Sequence, residues 1–346
     1  MNQACNLSPG TTIVGKWNGE SYTIIKALGQ GATGNVYLGD SRQGKVAIKL
    51  SENSMAITSE VNVLKHFSKV QGTSLGPSLL DVDDWKNHSQ KLISFYVMEY
   101  VQGKNFLEFV EQRGIEWSTV LTLQLLTNLE KLHQEGWVFG DLKPENLIVS
   151  GPPPKIRCID VGGTTQQGRS IKEFTEFFDR GYWGMGNRKA EPTYDLFSVA
   201  MIIINAAYPK RFKKMSDRDG QAQLMEKINQ HPFLNQHRDV LQQALLGKYT
   251  NAREMKSGFI QLLSNKASKD KPRSQSYQTR VSKKQQSPPK GRQATNKKTQ
   301  PQPQHSRTQV KQNKKKQKKR SHILETLVIL IGVFVVYSLY VYHVLM

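Results

Sequence analysis

The chain has 346 residues, with 49 Lys and Arg against 28 Asp and Glu, giving a formal net charge of +21. That length is enough for one sizeable core plus additional segments. Two cysteines, Cys5 and Cys158, exclude a disulfide-framed secreted scaffold and suit a reducing compartment.

Met1 to Gly10 has neither a basic region nor an apolar run, so no secretory signal is expected, and residues 1–11 read as an N-terminal extension. The stretch from Leu28 to Tyr37 follows a G-x-G-x-x-G-x-V pattern built on Gly29, Gly31, Gly34 and Val36. Without Cβ atoms, these glycines let the backbone turn tightly and approach phosphate oxygens. Apolar residues alternate before the pattern (Tyr22, Ile24, Leu28) and after it (Val36, Leu38). That predicts strand–turn–strand rather than the strand–turn–helix of a dinucleotide site. Residues 45–50 form a β-prone run in which alternation puts Ala47 and Lys49 on one face. Ala47 leaves room for an adenine ring, and Lys49 can reach the α- and β-phosphates. The carboxylate expected to hold Lys49 is Glu60, at the start of a helical pattern of Val61, Leu64, Phe67 and Val70, with Glu52 as a neighbouring rival. The short gap between Lys49 and Glu60 implies a brief connection.

Residues 139–149 carry the most chemistry, with Asp141, Lys143 and Asn146 on one short loop. The Asp can accept a hydroxyl proton, the Lys can neutralise a moving phosphoryl group, and the Asn can hold a magnesium ion. Downstream, Asp160 ends an apolar strand ahead of Gly162 and Gly163, where a second magnesium ligand is expected. Cys158 reads as a small strand filler. The triplet His237-Arg238-Asp239 is a decoy: no Lys or Asn follows at the required spacing, and Val240, Leu241, Ala244 and Leu245 mark a structural helix.

Over roughly residues 12–265 these motifs resemble the Hanks-type, or eukaryotic-like, serine/threonine protein kinases. The resemblance implies an α+β, two-lobed fold: a sheet-rich small lobe over residues 12–98 and a helical large lobe over 99–265, with ATP and Mg2+ between them. It also implies a gatekeeper at Met98, adenine contacts from the backbone of Glu99 and Val101, and a ring sandwich of Val36, Ala47 and Ile148. Leu64, Val161 and Phe139 would stack as an apolar spine. Asp195 would be a buried acid bonded to the catalytic-loop backbone. In this frame Asp141 is the base, Lys143 stabilises the transferred phosphoryl, Lys49 with Glu60 holds ATP, and Asn146 and Asp160 hold Mg2+. The departures are Phe139-Gly140-Asp141 for His-Arg-Asp, Asp160-Val161-Gly162 for Asp-Phe-Gly, and no evident Ala-Pro-Glu; Ala190-Glu191-Pro192 lies too close to Asp195. Gly140 cannot pair with an activation-segment phosphate, so the family's usual switch is absent in that form.

Residues 1–265 hold 30 basic and 26 acidic side chains, whereas residues 266–321 hold 19 basic ones and a single acid, Asp270. The second stretch, rich in Gln, Ser and Pro, is expected to be a disordered juxtamembrane linker. Its ligand could be DNA, bound through phosphates, or anionic lipid; the residues leave both open. Leu327 to Met346 is 20 apolar-rich residues without Lys, Arg, Asp or Glu. As a helix it measures about 30 Å, so residues 322–346 are expected to span a bilayer once, leaving no outer domain after Met346. The basic run before it predicts that the kinase domain and N-terminus face the cytoplasm at the cell membrane. The layout is similar to the DNA-responsive, membrane-anchored sporulation kinases of bacilli. That resemblance implies Ser/Thr substrates among cytoplasmic proteins, phosphorylation of itself in trans through a transient dimer, and stimulation by DNA. Thr164, Thr165, Ser170 and Thr175 are the candidate acceptors. A pseudokinase scaffold and a small-molecule kinase are the rival readings. The intact Lys49, Asp141, Lys143, Asn146 and Asp160 argue against the first, and Lys143 against the second.

Overall fold

The computed structural model describes residues 5–31, 33–69 and 75–269. The basic segment beyond residue 269, the apolar run 327–346 and Val70 lie outside the described residues. Among the described residues no helix is long and apolar enough to cross a membrane.

The chain begins with a six-stranded antiparallel sheet. It comprises β1 (Thr12–Val14), β2 (Ser21–Gly31), β3 (Gly34–Ser41), β4 (Gly44–Ser51), β5 (Leu79–Lys86) and β6 (Leu92–Glu99), in the order β1-β2-β3-β4-β6-β5. Helix α1 (Ser54–Lys69) lies between β4 and β5 in the chain. The two sheet edges meet, because Lys16 N–H donates to the Asp84 carbonyl at 2.8 Å and Trp17 and Asn18 N–H groups donate to the Asp83 carboxylate. The curled sheet thereby encloses its own apolar cluster. Val46, Ile48 and Leu50 of β4 join Ile93, Phe95 and Val97 of β6 in it, together with Ile13, Ile24 and Trp85. The N-terminal extension closes this cluster: Cys5 is fully buried, and its carbonyl accepts from Tyr37 Oη at 2.6 Å and Asn35 Nδ2 at 3.0 Å.

Because strand side chains alternate, Ala47 of β4 and Tyr96 and Met98 of β6 leave by the opposite face. There they join α1 residues Ile57, Val61, Leu64 and Phe67 in the main core. The expected alternation around the glycine pattern is broken by two register shifts. The β2–β3 pairing shifts register between Ile24 and Lys26 and again between Ala27 and Gly29. As a result Leu28 is exposed while Tyr22 and Ile24 are buried.

The remainder is helical around one central rod. Next come β7 (Lys104–Asn105), α2 (Phe106–Arg113), α3 (Glu116–Gln134), β8 (Trp137–Val138), β9 (Leu147–Ser150), β10 (Lys155–Cys158) and β11 (Thr165–Gln166). They are followed by α4 (Pro192–Ala207), α5 (Gly220–Gln230), α6 (Pro232–Gln236), α7 (Arg238–Leu245) and α8 (Ala252–Lys269). Every residue of α4 from Tyr194 to Asn205 is buried. A helix apolar all round must be enclosed by others, and α3, α7 and α8 supply the packing. Strands β7, β9 and β10 form a small antiparallel sheet, and β8 pairs with β11. As expected, His237-Arg238-Asp239 opens α7, with Val240, Leu241, Ala244 and Leu245 buried.

Candidate active site

Strand β4 presents Lys49 beside Ala47, and both are buried. Lys49 Nζ lies 2.7 Å from both carboxylate oxygens of Glu60. The rival Glu52 instead pairs with Lys91 at 2.6 Å. Sequence pattern placed Glu60 at the start of its helix; in fact α1 begins at Ser54, so Glu60 sits nearly two turns in. The reason is a polar N-terminus: Asn53 Oδ1 accepts from Ala56 N–H at 3.2 Å and starts the helix before its apolar stripe. Only Glu52 and Asn53 connect β4 to α1, which explains the short gap. Glu60 is also held by Tyr96, whose hydroxyl donates to it at 2.7 Å. Burial, reinforced by the Glu60 charge, pushes the Tyr96 phenol well above its ordinary range, so it remains a donor.

In the glycine pattern, Gly31 and Gly34 face each other across the β2–β3 turn. Gly34 has φ +148°, and a Cβ there would meet the Leu50 carbonyl at 2.3 Å, so only glycine fits. A Cβ on Gly29 would meet nothing, so that glycine leaves open space rather than relieving a clash. Val36 pairs with Lys49, and Met98 pairs with Ala47 on the neighbouring strand. Met98 and Val101 are buried, while Val36 and Ile148 are partly so. Leu64, Phe139 and Val161 all lie in the main core. Glu99, at the end of β6, is gripped by both guanidinium nitrogens of Arg157 on β10, at 3.0 and 2.8 Å, and Arg157 also donates to the Gly76 carbonyl. Hydrogen bonding from Arg157 holds the Glu99 carboxyl below its usual range.

The loop carrying Asp141 is fixed from beneath by Asp195, which is fully buried near the start of α4. Its carboxylate accepts the N–H of Phe139 at 2.8 Å and of Gly140 at 2.9 Å, and His133 Nε2 lies 2.8 Å away. Gly140 has φ +85°, and a Cβ there would sit 2.6 Å from the Gly163 carbonyl, so the stretches 139–141 and 161–163 interlock. Lys143 Nζ is bonded to the Asp141 carboxylate. Thr175 completes a triangle: its hydroxyl donates to Asp141 Oδ1 at 3.1 Å and accepts from Lys143 Nζ at 3.2 Å. Asn146, at the end of a 3-10 turn, donates its side-chain nitrogen to the Asp141 carbonyl at 3.0 Å. That leaves its side-chain oxygen as the atom for a cation. Asp160 accepts from Gly162 N–H at 3.0 Å, lies 3.9 Å from Lys49 Nζ, and is half exposed.

Two hard oxygen donors at a half-open edge fit magnesium, which keeps waters and binds phosphate oxygens rather than a full protein cage. No cluster of three or more His, Cys, Asp or Glu side chains capable of holding a metal occurs among the described residues.

Some site residues escape sequence reasoning. Glu173 lies beside this cleft, its carboxyl raised by burial and then by the Asp160 charge. Asp179, fully buried, accepts from Arg188 Nε and Nη2 at 2.8 and 2.7 Å, from Tyr194 Oη at 2.9 Å, and from the N–H groups of Gly181 and Tyr182. Arg180 reaches Glu191 at 3.3 Å. These ties anchor the stretch where no Ala-Pro-Glu was evident. A local signal did exist, since Asp179 precedes three glycines that need a fixed turn. Among the candidate acceptors, Thr164 and Thr165 are 0 % and 1 % exposed, so neither is offered to another active site in this conformation. Ser170 is exposed, and Thr175 is engaged by Asp141. The Cys158 thiol is fully buried and pushed far up by burial, in keeping with a strand filler.

Comparison with known proteins agrees with this geometry. Residues 22–284 match the family model described as the protein kinase domain. The chain is 48 % identical over 339 residues to "Serine/threonine-protein kinase YabT" of Bacillus subtilis (strain 168), covering 98 % of this chain and 96 % of that protein. It is also similar to "Serine/threonine-protein kinase D" of Synechocystis, at 29 % identity over 42 % of this chain and 31 % of that protein. The third relative is a probable serine/threonine-protein kinase of Clostridium perfringens, 26 % identical over 55 % of this chain and 29 % of that protein. The chain belongs to the protein kinase family, as a Hanks-type bacterial serine/threonine kinase.

Proposed function

We propose that the enzyme transfers the γ-phosphoryl of Mg-ATP to Ser and Thr hydroxyls of cytoplasmic proteins and of its own kind, with Asp141 accepting the substrate proton. The observation that carries this reading is the convergence of Asp141, Lys143 and Thr175 within hydrogen-bond reach, beside a Lys49–Glu60 pair that is already formed. Phosphoryl transfer asks for positioning and charge neutralisation rather than covalent help. Lys49 holds the triphosphate in line, Lys143 offsets charge on the moving phosphoryl, and the acceptor hydroxyl takes the place now held by the Thr175 hydroxyl. Asn146 and Asp160 are the residues that would hold magnesium, which supplies charge neutralisation when bound. Adenine would lie between Val36 and Ala47 on one side and Ile148 on the other, with Met98 behind it and the backbone of Glu99 and Val101 at its edge. Within this proposal the small lobe ends near residue 98 and the large lobe begins at 99. The test is Asp141→Asn, assayed for transfer of labelled γ-phosphate and for nucleotide affinity. Loss of transfer with retained affinity is expected, and a variant that phosphorylates at the wild-type rate ends the assignment.

The basic residues 266–321 and the apolar residues 322–346 are proposed as a polyanion-binding linker and a membrane anchor, with the kinase domain in the cytoplasm and DNA as the activating polyanion. Support comes from composition and from the relative of Bacillus subtilis, whose similarity spans 98 % of this chain and so includes the tail. DNA would gather molecules into transient dimers and promote phosphorylation in trans. Kinase activity with and without DNA, before and after removal of residues 266–321, is decisive, and stimulation that persists without the segment refutes it.

A further inference from the structure

The rim beside Asp141 is built by two segments that share one aromatic cluster. Residues 174–189 contribute Phe177 and Trp183, and residues 208–214 contribute Phe212, whose ring centroid lies 5.3 and 5.9 Å from theirs. Lys214 Nζ donates to the Tyr182 carbonyl at 2.9 Å, tying the second segment to the first. Since Thr175 touches both Asp141 and Lys143, the chain that follows Thr175 borders the acceptor position, and Arg211 of the second segment reaches the same loop by pairing with Glu145.

Charge on this rim is one-sided. Residues 169–189 and 208–218 hold ten Lys and Arg against four Asp and Glu, a net +6 in a domain whose first 265 residues carry only +4. Of those four acids Asp179 is ion-paired, while Asp217 is exposed and Glu173 partly so. Glu145, two residues past Lys143 on the catalytic loop, is paired with Arg211, whose guanidinium also lies 4.6 Å from the Phe178 ring. Asp179 is consumed by Arg188 and Glu191 by Lys189 and Arg180, while Glu176 stays exposed. Lys210 and Lys213 remain exposed, and no acid within the rim is paired with either in the structure. The net positive charge disfavours a cationic peptide, and the Glu145 carboxylate of the catalytic loop is already paired with Arg211.

We propose that this rim selects substrates with Asp or Glu flanking the phosphoacceptor Ser or Thr, with Lys213 and Lys210 as specificity-determining residues and Arg211 acting by cancelling Glu145. The inference rests on Asp141 marking the acceptor position. Electrostatic matching across an open rim governs discrimination more than the chemical step, and it weakens with salt.

The experiment uses the full chain, Mg-ATP and three synthetic peptides of one length whose central Ser is flanked by Glu, Gln or Arg. The expected result is kcat/KM about tenfold higher for the Glu peptide than for the Arg peptide at low salt, carried by KM and shrinking as salt rises. Lys213→Glu, and separately Lys210→Glu, lower that ratio several-fold; both side chains are exposed, so folding is not at stake, and circular dichroism checks it. Equal rates on all three peptides, or a preference for Arg, overturn the proposal while leaving the assignment of Asp141 intact. Failure to phosphorylate any peptide overturns both. If the charge reversals leave the ratio unaltered but abolish binding of a short DNA duplex, the rim is a nucleic-acid surface and the proposal is wrong.

Discussion

Gly140 occupies the position where the family's triplet carries Arg, and the structure makes a quantitative demand of it. Consider Gly140→Ala. The residue has φ +85°, and left-handed backbone costs a non-glycine residue about 1–2 kcal/mol. The added Cβ would also stand 2.6 Å from the Gly163 carbonyl, a backbone atom with no rotamer to move. Overpacking of that kind costs about 1–3 kcal/mol. Gly163 cannot retreat freely, because a Cβ built on it would lie 2.9 Å from the Asp141 Cβ, so it already abuts Asp141. The sum is about 2–5 kcal/mol. At about 2–4 °C per kcal/mol for a domain of this size, the melting temperature should fall by roughly 4–20 °C. Activity should fall further than stability suggests, because the strain is relieved by moving Asp141; a misplacement of about 1 Å costs on the order of 100-fold in rate. The assay pairs thermal unfolding of the full chain with steady-state transfer from labelled ATP, both well below the new midpoint. Gly140→Arg should be at least as damaging, since the same Cβ is present. An alanine variant with wild-type melting temperature and kcat would show that the two stretches are not interlocked as described.

Lys49→Met leaves the Glu60 carboxylate buried with only Tyr96, which should cost about 3–5 kcal/mol; adding Glu60→Gln should recover much of the melting temperature but none of the phosphoryl transfer. The Arg157 guanidinium holds the Glu99 carboxyl below 4.5, so its contribution is present above the unfolded value and is lost as pH falls through the folded one. Arg157→Met should therefore flatten the acid-side loss of stability, by less than about 1 kcal/mol because Glu99 is partly exposed, as read from urea midpoints below pH 5. Cys5 and Cys158 are buried with thiols raised by burial, so a thiol reagent at pH 8 should label neither until urea unfolds the domain, and prompt labelling of the native protein contradicts the packing. Phosphatase-treated enzyme carrying Ser170→Ala should keep kcat within about twofold, because the activation segment is already held by Asp179 and by Lys172, which reaches Ser59 and the Thr164 carbonyl; the check is single-turnover transfer, and a tenfold loss would mean a phosphate orders the segment.

What could be read from residues alone was what local geometry dictates. Lys49 and Ala47 share a face because strands alternate, and Asp141, Lys143 and Asn146 converge because one short loop carries them. Glu60 was assigned the right partner but the wrong place in its helix, since the apolar stripe starts later than the polar turn capped by Asn53. Leu28 was placed in an alternation that two bulges interrupt. Thr164 and Thr165 looked like acceptors because a hydroxyl is visible in sequence, whereas burial is a tertiary property. Glu173 and Arg157 stayed hidden for the same reason: their partners are set by how the activation segment and β10 fold back on other elements, whereas Asp179 left a local trace in the glycines that follow it.

Glycine at position 140 also changes what holds the catalytic loop. The most conformationally free residue sits immediately before the proposed base, so the loop depends on restraints from outside itself. Asp195 supplies them through two backbone N–H groups, and the Gly163 carbonyl packs against the remaining side. Neither restraint involves a charged side chain at residue 140, so neither needs a phosphate to complete it. The activation segment shows the same economy: the buried Asp179 binds Arg188 and two backbone N–H groups, and Lys172 bridges to α1, which also carries Glu60. A site assembled by buried carboxylates and backbone is assembled on folding. Control exerted on such a site must then act on the encounter between kinase and substrate, which is where a recruiting tail and a charge-selective rim would both operate.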